Sequence, residues 1–146
     1  MRDTVCDITD ASINIAHTPD GVFALGKDGN AALFFVEIDR GIEVVNDPSK
    51  GFLKAINFYL NYWSNQNFKR YEADFGGKVF KTFWMLVVTN SEKRLQNMRE
   101  AVTKHPFPNT QAKRFLWGTT DVTVDNFFSP IWQSFDTTDK TMYKIG

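Results

Sequence analysis

The stretch Pro19-Asp20-Gly21-Val22-Phe23-Ala24-Leu25-Gly26-Lys27-Asp28-Gly29-Asn30-Ala31-Ala32-Leu33-Phe34-Phe35-Val36-Glu37-Ile38-Asp39-Arg40-Gly41 decides the fold. Gly21–Leu25 is a short apolar run, Gly26–Asn30 is dense in turn-forming residues, and Ala31–Ile38 is a second apolar run. Two such runs around a five-residue Gly/Asp/Asn segment predict a β-hairpin. With those five residues as the loop, Leu25 lies opposite Ala31, and Asp20 faces Val36 beside Glu37. A slip of one or two residues leaves Asp20 and Glu37 at the same open end. The second run is apolar on both faces for most of its length, which predicts a covered, central strand. Strand side chains alternate, so Glu37 and Asp39 share a face and Ile38 takes the other. Three carboxylates, Asp20, Glu37 and Asp39, are thus expected at one end of a sheet.

Outward from the hairpin, Ser12–Ala16 alternates polar and apolar residues, a weak strand signal. Asp47-Pro48 reads as a helix start, with Asp47 as N-cap and Pro48 in the first turn. Phe52, Ile56, Tyr59, Leu60 and Trp63 then fall on one apolar face, with Lys50, Lys54, Asn57 and Asn61 opposite. Asn65–Lys81 is polar, carries Gly76-Gly77 and reads as a loop. Phe83–Thr89 is a strongly apolar strand. Asn90 or Ser91 caps a second helix with Leu95, Met98 and Val102 at helical spacing, and His105-Pro106 ends it. Phe115–Trp117 predicts a short last strand. The resulting order, β-β-β-α-β-α-β, describes an α/β or α+β domain with a mixed sheet. Trp132, Phe135 and Tyr143 suggest that part of the tail, about residues 128–146, packs on it.

A length of 146 residues suits a single domain, 1–146, and 42% hydrophobic with 15% aromatic residues is ample for a core. The longest apolar run, Ala31–Val36, is far short of a membrane span, and the first residues lack the apolar stretch of a signal peptide. One cysteine, Cys6, excludes an internal disulfide and suits a reducing compartment. The expectation is a soluble, cytoplasmic protein without a membrane partner. The charge balance, 17 basic against 17 acidic residues, argues mildly against holding duplex DNA by phosphate contacts, but an acidic pocket can hide a basic rim in the sum, so net charge alone does not decide.

Convergent carboxylates raise one another's pKa unless a cation compensates. A hard divalent ion such as Mg²⁺, held by one or two carboxylates and waters, is the usual solution, and it can activate water against a phosphodiester. The plainer alternative is a strand ending in solvent with Arg40 as partner. Glu43 is either a fourth carboxylate or a loop residue, and His17 either a proton shuttle or a surface histidine. Cys6, His17 and His105 lack zinc-site spacing. No phosphate-binding Gly-rich loop or Ser/Cys nucleophile motif is present. Tyr59, Tyr62 and Trp63 could stack on bases, but their spacing favours core packing. Lys50, Lys54, Lys69, Arg70, Lys78 and Lys81 form a loosely basic middle section, read by default as solvated surface.

Pro19-Asp20, a hairpin, then Glu37-Ile38-Asp39 resembles the layout of the PD-(D/E)XK nuclease superfamily. More narrowly, Phe34-Phe35-Val36-Glu37-Ile38-Asp39-Arg40-Gly41-Ile42-Glu43, with the Lys/Tyr-rich helix Lys54–Tyr62, is similar to the plasmid replication-relaxation protein family over roughly residues 19–120. The resemblance implies a restriction-endonuclease-like mixed sheet flanked by helices, and a role in plasmid or mobile-element replication or mobilisation. Members typically carry a preceding winged-helix segment, so this chain corresponds to the C-terminal domain alone or to a shortened member. By resemblance, Asp20 and Glu37 would bind Mg²⁺, with Asp39 as third ligand or base. Asp39, however, stands where the superfamily motif has lysine. Lys54 is then the candidate to assist the attacking water, against its plainer reading as a solvated lysine. The alternative is a catalytically inactive module of the same fold that binds DNA or a replication or mobilisation protein.

Overall fold

The computed structural model describes residues 8–10, 15–17, 19–27, 30–41, 45, 51–64, 67–77, 79–104, 115–120, 122–123 and 125–145. Strands β1 (Ile8–Asp10) and β2 (Ile15–His17) pair antiparallel as a small separate sheet. The main sheet has six strands in sequential order: β3 (Gly21–Lys27), β4 (Asn30–Ile38), β5 (Val79–Val88), β6 (Leu116–Thr119), β7 (Trp132–Ser134) and β8 (Met142–Tyr143). β4, β5 and β6 run parallel, whereas β3 is antiparallel to β4, β7 to β6, and β8 to β7. The fold is mixed α/β, as the alternation of elements predicts.

The hairpin forms with a register one residue from the expected one. Leu25 pairs with Ala32 and Lys27 with Asn30, so both strands run into the turn-rich segment and only residues 28–29 lie between them. A two-residue Asp-Gly connection is a favoured hairpin link, and it competes successfully with the longer loop. The ladder ends with Gly21 opposite Val36, and the Asp20 N–H also donates to the Val36 carbonyl, at 2.9 Å.

Two parallel crossovers follow. Helix α1 (Gly51–Ser64) links β4 to β5, and α3 (Glu92–Lys104) links β5 to β6. The strand order advances in one direction, so crossovers of one hand place both helices on the same face. Phe52, Leu53, Ile56 and Tyr59 of α1 and Leu95, Met98 and Val102 of α3 accordingly pack with Leu33, Phe35, Met85 and Val87 in one core. The Phe35 ring sits among Tyr59, Tyr62, Tyr71 and Phe83. Gly118 lets α3 approach β6, since a Cβ there would come within 2.6 Å of the buried Leu95 side chain. Ser91 caps α3, its Oγ accepting the Arg94 N–H at 3.1 Å. The predicted helix signals Asp47-Pro48 and His105-Pro106 lie outside the described residues, as do Cys6 and Glu43.

The segment read as a loop, Asn65–Lys81, is structured over most of its length. A 3-10 turn (Asn67–Arg70) runs into the short helix α2 (Tyr71–Asp74), and β5 begins at Val79 rather than Phe83. Phe68, Tyr71 and Phe80 are buried there, and isolated aromatics among polar neighbours give no readable period. The tail also exceeds its expectation. It supplies β7 and β8, and Phe127, Ile131, Trp132, Tyr143 and Ile145 cover the second sheet face against Phe23, Phe34, Trp84, Leu86 and Trp117.

Arg99 ties this tail to α3. Its guanidinium is buried and donates to the carbonyls of Ser134 (2.7 Å), Asp136 (3.2 Å) and Asp139 (3.2 Å) and to the side chains of Gln96 and Gln133. Three carbonyls read by one rigid fork cannot be matched by an ammonium point charge. Arg99→Lys is expected to destabilise the protein by about 2 kcal/mol in urea denaturation. Amide exchange should accelerate first in β7, and unchanged exchange there would refute the tether.

Candidate functional site

The parallel strands β4, β5 and β6 end together, and their carboxyl ends are where ligands sit in open α/β sheets. Asp39 follows β4, Thr89 follows β5, and Thr119 ends β6. The Asp39 N–H donates to the Val88 carbonyl at 2.7 Å and the Thr89 N–H to the Thr119 carbonyl at 3.0 Å, so the ladder carries on past the regular strands. Gly41, at φ +83°, turns the chain away, and a Cβ there would fall 2.5 Å from the Asn90 side-chain nitrogen. Asn90 in turn donates to the Arg40 carbonyl at 3.3 Å, and Arg40 itself is exposed.

Each of the three sequence-predicted carboxylates has its own partner. Asp20 is exposed, and its Oδ2 accepts the Ile38 N–H at 2.8 Å, closing the open end of the hairpin. Glu37 points to the helix-covered face, where Oε1 accepts the Tyr59 hydroxyl of α1 at 2.5 Å. Burial drives the Tyr59 hydroxyl's pKa well above its ordinary value, and the charges of Glu37 and Asp20 push it further in the same direction. The phenol is therefore a fixed donor. The charges of both Asp20 and Glu37, at the open end of the hairpin, act on this hydroxyl.

Asp39 shares the helix-covered side with Glu37 but turns to α3. Arg94 grips it in a fork, Nε to Oδ2 at 2.5 Å and Nη2 to Oδ1 at 2.9 Å, and the Thr89 hydroxyl donates to Oδ2 at 2.6 Å. Burial raises the Asp39 pKa, but the Arg94 and Thr89 hydrogen bonds and the Arg94 charge outweigh it, and the net shift is downward. Ile38, between the two acids, is 58% exposed on the other face. Lys54 is exposed on α1. Tyr59 and Tyr62 are buried in the core, which removes them as base-stacking platforms. The side chains of His17 and Trp63 lie outside the described residues, as do Lys50 and Lys78.

The structure therefore ties Asp20 to the Ile38 N–H, Glu37 to Tyr59, and Asp39 to Arg94 and Thr89. Among the described residues, no group of three or more His, Cys, Asp or Glu side chains is assembled to hold a metal ion. The Mg²⁺ expected from the resemblance does not fit this donor set as a three-carboxylate site, because both Asp39 oxygens already accept hydrogen bonds from Arg94 and Thr89. Comparison of the chain with protein-family models, curated proteins and solved structures returned no match. Among the described residues, no helix is long and apolar enough to cross a membrane.

Sequence reasoning missed Arg94 and Thr89. One signal was present. Arg94 lies in the first turn of α3, where a cation opposes the helix dipole, so a specific acidic partner is the natural compensation.

The pair has a pH signature. Its stabilisation is complete above the ordinary carboxyl pKa of 3.8 and is lost as pH falls through the lower folded-state value. Asp39→Asn is expected to cost about 3 kcal/mol at pH 7, the low end for breaking a buried pair because Arg94 is partly exposed. In urea melts the deficit should stay constant from pH 7 to pH 5 and narrow only below about pH 4. A deficit that already closes between pH 7 and 5 would contradict the ion pair.

Proposed function

We propose that this chain is a restriction-endonuclease-like domain of the replication-relaxation kind, serving plasmid or mobile-element replication or mobilisation as a non-cleaving binding and regulatory module. The observation that carries the reading is the contact set of Asp39. It stands at the place of the motif lysine, and its two oxygens are held inward by Arg94 and Thr89. A lysine there would stabilise developing negative charge on a phosphate, whereas a paired carboxylate repels it. The order of an antiparallel hairpin, a helical crossover and a parallel strand is compatible with the nuclease-like core and supports the family reading. The equal counts of basic and acidic residues favour a replication or mobilisation protein as partner over a DNA backbone.

A second reading draws on Asp20 and Glu37, whose charges both act on Tyr59 at the open end of the hairpin. In it these two carboxylates hold Mg²⁺ for phosphodiester cleavage and Lys54 assists. Incubation of supercoiled plasmid DNA with the protein in Mg²⁺ or Mn²⁺ separates the two. The expected result is no nicking above that of Glu37→Gln, and no gel shift of the DNA at physiological salt. Metal-dependent nicking that disappears in Glu37→Gln would overturn the non-cleaving reading in favour of the second.

A further inference from the structure

We infer that Arg94 is a built-in counter-cation that holds Asp39 in the place of a divalent metal ion. The inference rests on the surroundings of Asp39 and is independent of which partner the chain binds. Asp39 is shielded, its side chain 4% exposed, and the Arg94 side chain is 17% exposed, so the pair lies at the boundary between core and solvent. A carboxylate so placed needs a cation or a proton. The fork supplies the cation with two parallel hydrogen bonds, the geometry in which guanidinium and carboxylate bind most strongly. Thr89 adds a third donor from the neighbouring strand.

Asp20 accepts the Ile38 N–H and Glu37 the Tyr59 hydroxyl, so the fork at Asp39 acts on Asp39 alone. A hard ion demands oxygen lone pairs in its own coordination shell. At Asp39 the Arg94 fork covers both oxygens and Thr89 takes a further direction on Oδ2, so guanidinium and metal compete for the same oxygens. The position of Arg94 in the first turn of α3, against the helix dipole, shows that it is held by this partner rather than by helix preference.

Thermal melting of the full chain in MnCl₂ and in EDTA tests the inference apart from any DNA or partner assay. The native protein should melt at the same temperature in both. Arg94→Met should melt roughly 6–12 °C lower in EDTA and recover several degrees in millimolar Mn²⁺, because removal of the guanidinium opens Asp39 to the ion. Arg94→Met/Asp39→Asn should show no Mn²⁺ response, and Arg94→Lys, which keeps a cation, should show none either. If Arg94→Met does not fold in EDTA, refolding in Mn²⁺ should recover it. The inference is overturned if Arg94→Met ignores Mn²⁺ whether folded or refolding. It is equally overturned if the native protein gains stability from Mn²⁺ and loses that gain in Asp20→Asn or Glu37→Gln, for then the metal and Arg94 coexist.

Discussion

Strand β4 must be apolar on both faces and hydrogen-bonded on both edges, and the rest of the structure follows from that demand. Leu33 and Phe35 face α1 and α3, whereas Phe34 and Val36 face the C-terminal segment. Each fully buried side chain of this size contributes roughly 1.5–3 kcal/mol relative to exposure, so neither face can be left to water. The helices alone cover one side. The tail covers the other and has to be anchored to do so, through Trp132 in the second core and through Arg99 reaching across from α3. The chain thus spends its last twenty or so residues finishing a strand laid down near its beginning.

A strand this dry has to meet water abruptly where it ends. Within four residues β4 passes from Val36 to Asp39, and the alternation that buries Leu33 and Phe35 sends Glu37 and Asp39 to the same covered side. Three solutions to the resulting charge lie next to one another. Asp20 takes a backbone N–H that β3 has stopped satisfying, Glu37 takes a buried phenol, and Asp39 takes a guanidinium and a threonine hydroxyl. The last of these is an ion pair with two parallel hydrogen bonds, and it fixes Asp39 against α3.

The hairpin and the sharing of a face by Glu37 and Asp39 were legible in the sequence because both are local, set by turn chemistry and by the period of two. The register missed by one residue because Gly26–Asn30 holds turn formers at both ends, and only the pairing of Lys27 with Asn30 selects the shorter connection. The helix faces were legible through Phe52, Ile56 and Tyr59 and through Leu95, Met98 and Val102. Phe68 and Tyr71 were not, since each is a lone aromatic that packs on a ring from another element, Phe68 on Phe83 and Tyr71 on Phe35. Strands of three and two residues, β7 and β8, are too short to show a period at all. The partner of Asp39 was illegible for a related reason. It comes from 55 residues away, on the helix of the next crossover, and nothing local to either residue encodes the meeting.

An apolar pair of the same volume in place of Asp39 and Arg94 would often be as stable, because desolvating two charges offsets most of their attraction. The choice of an ion pair here is better explained by its geometry. A hydrophobic contact has no preferred direction, whereas the fork fixes how Asp39 and Arg94 face one another. The fork also sets α3 in register against β4, since a bidentate bond with a third donor from Thr89 tolerates little rotation or slippage. One residue therefore neutralises Asp39 and aligns the second crossover helix. On the proposed reading, that dual use explains how a nuclease-like scaffold carries an aspartate where the motif has lysine: Asp39 persists as part of the fold, held by Arg94.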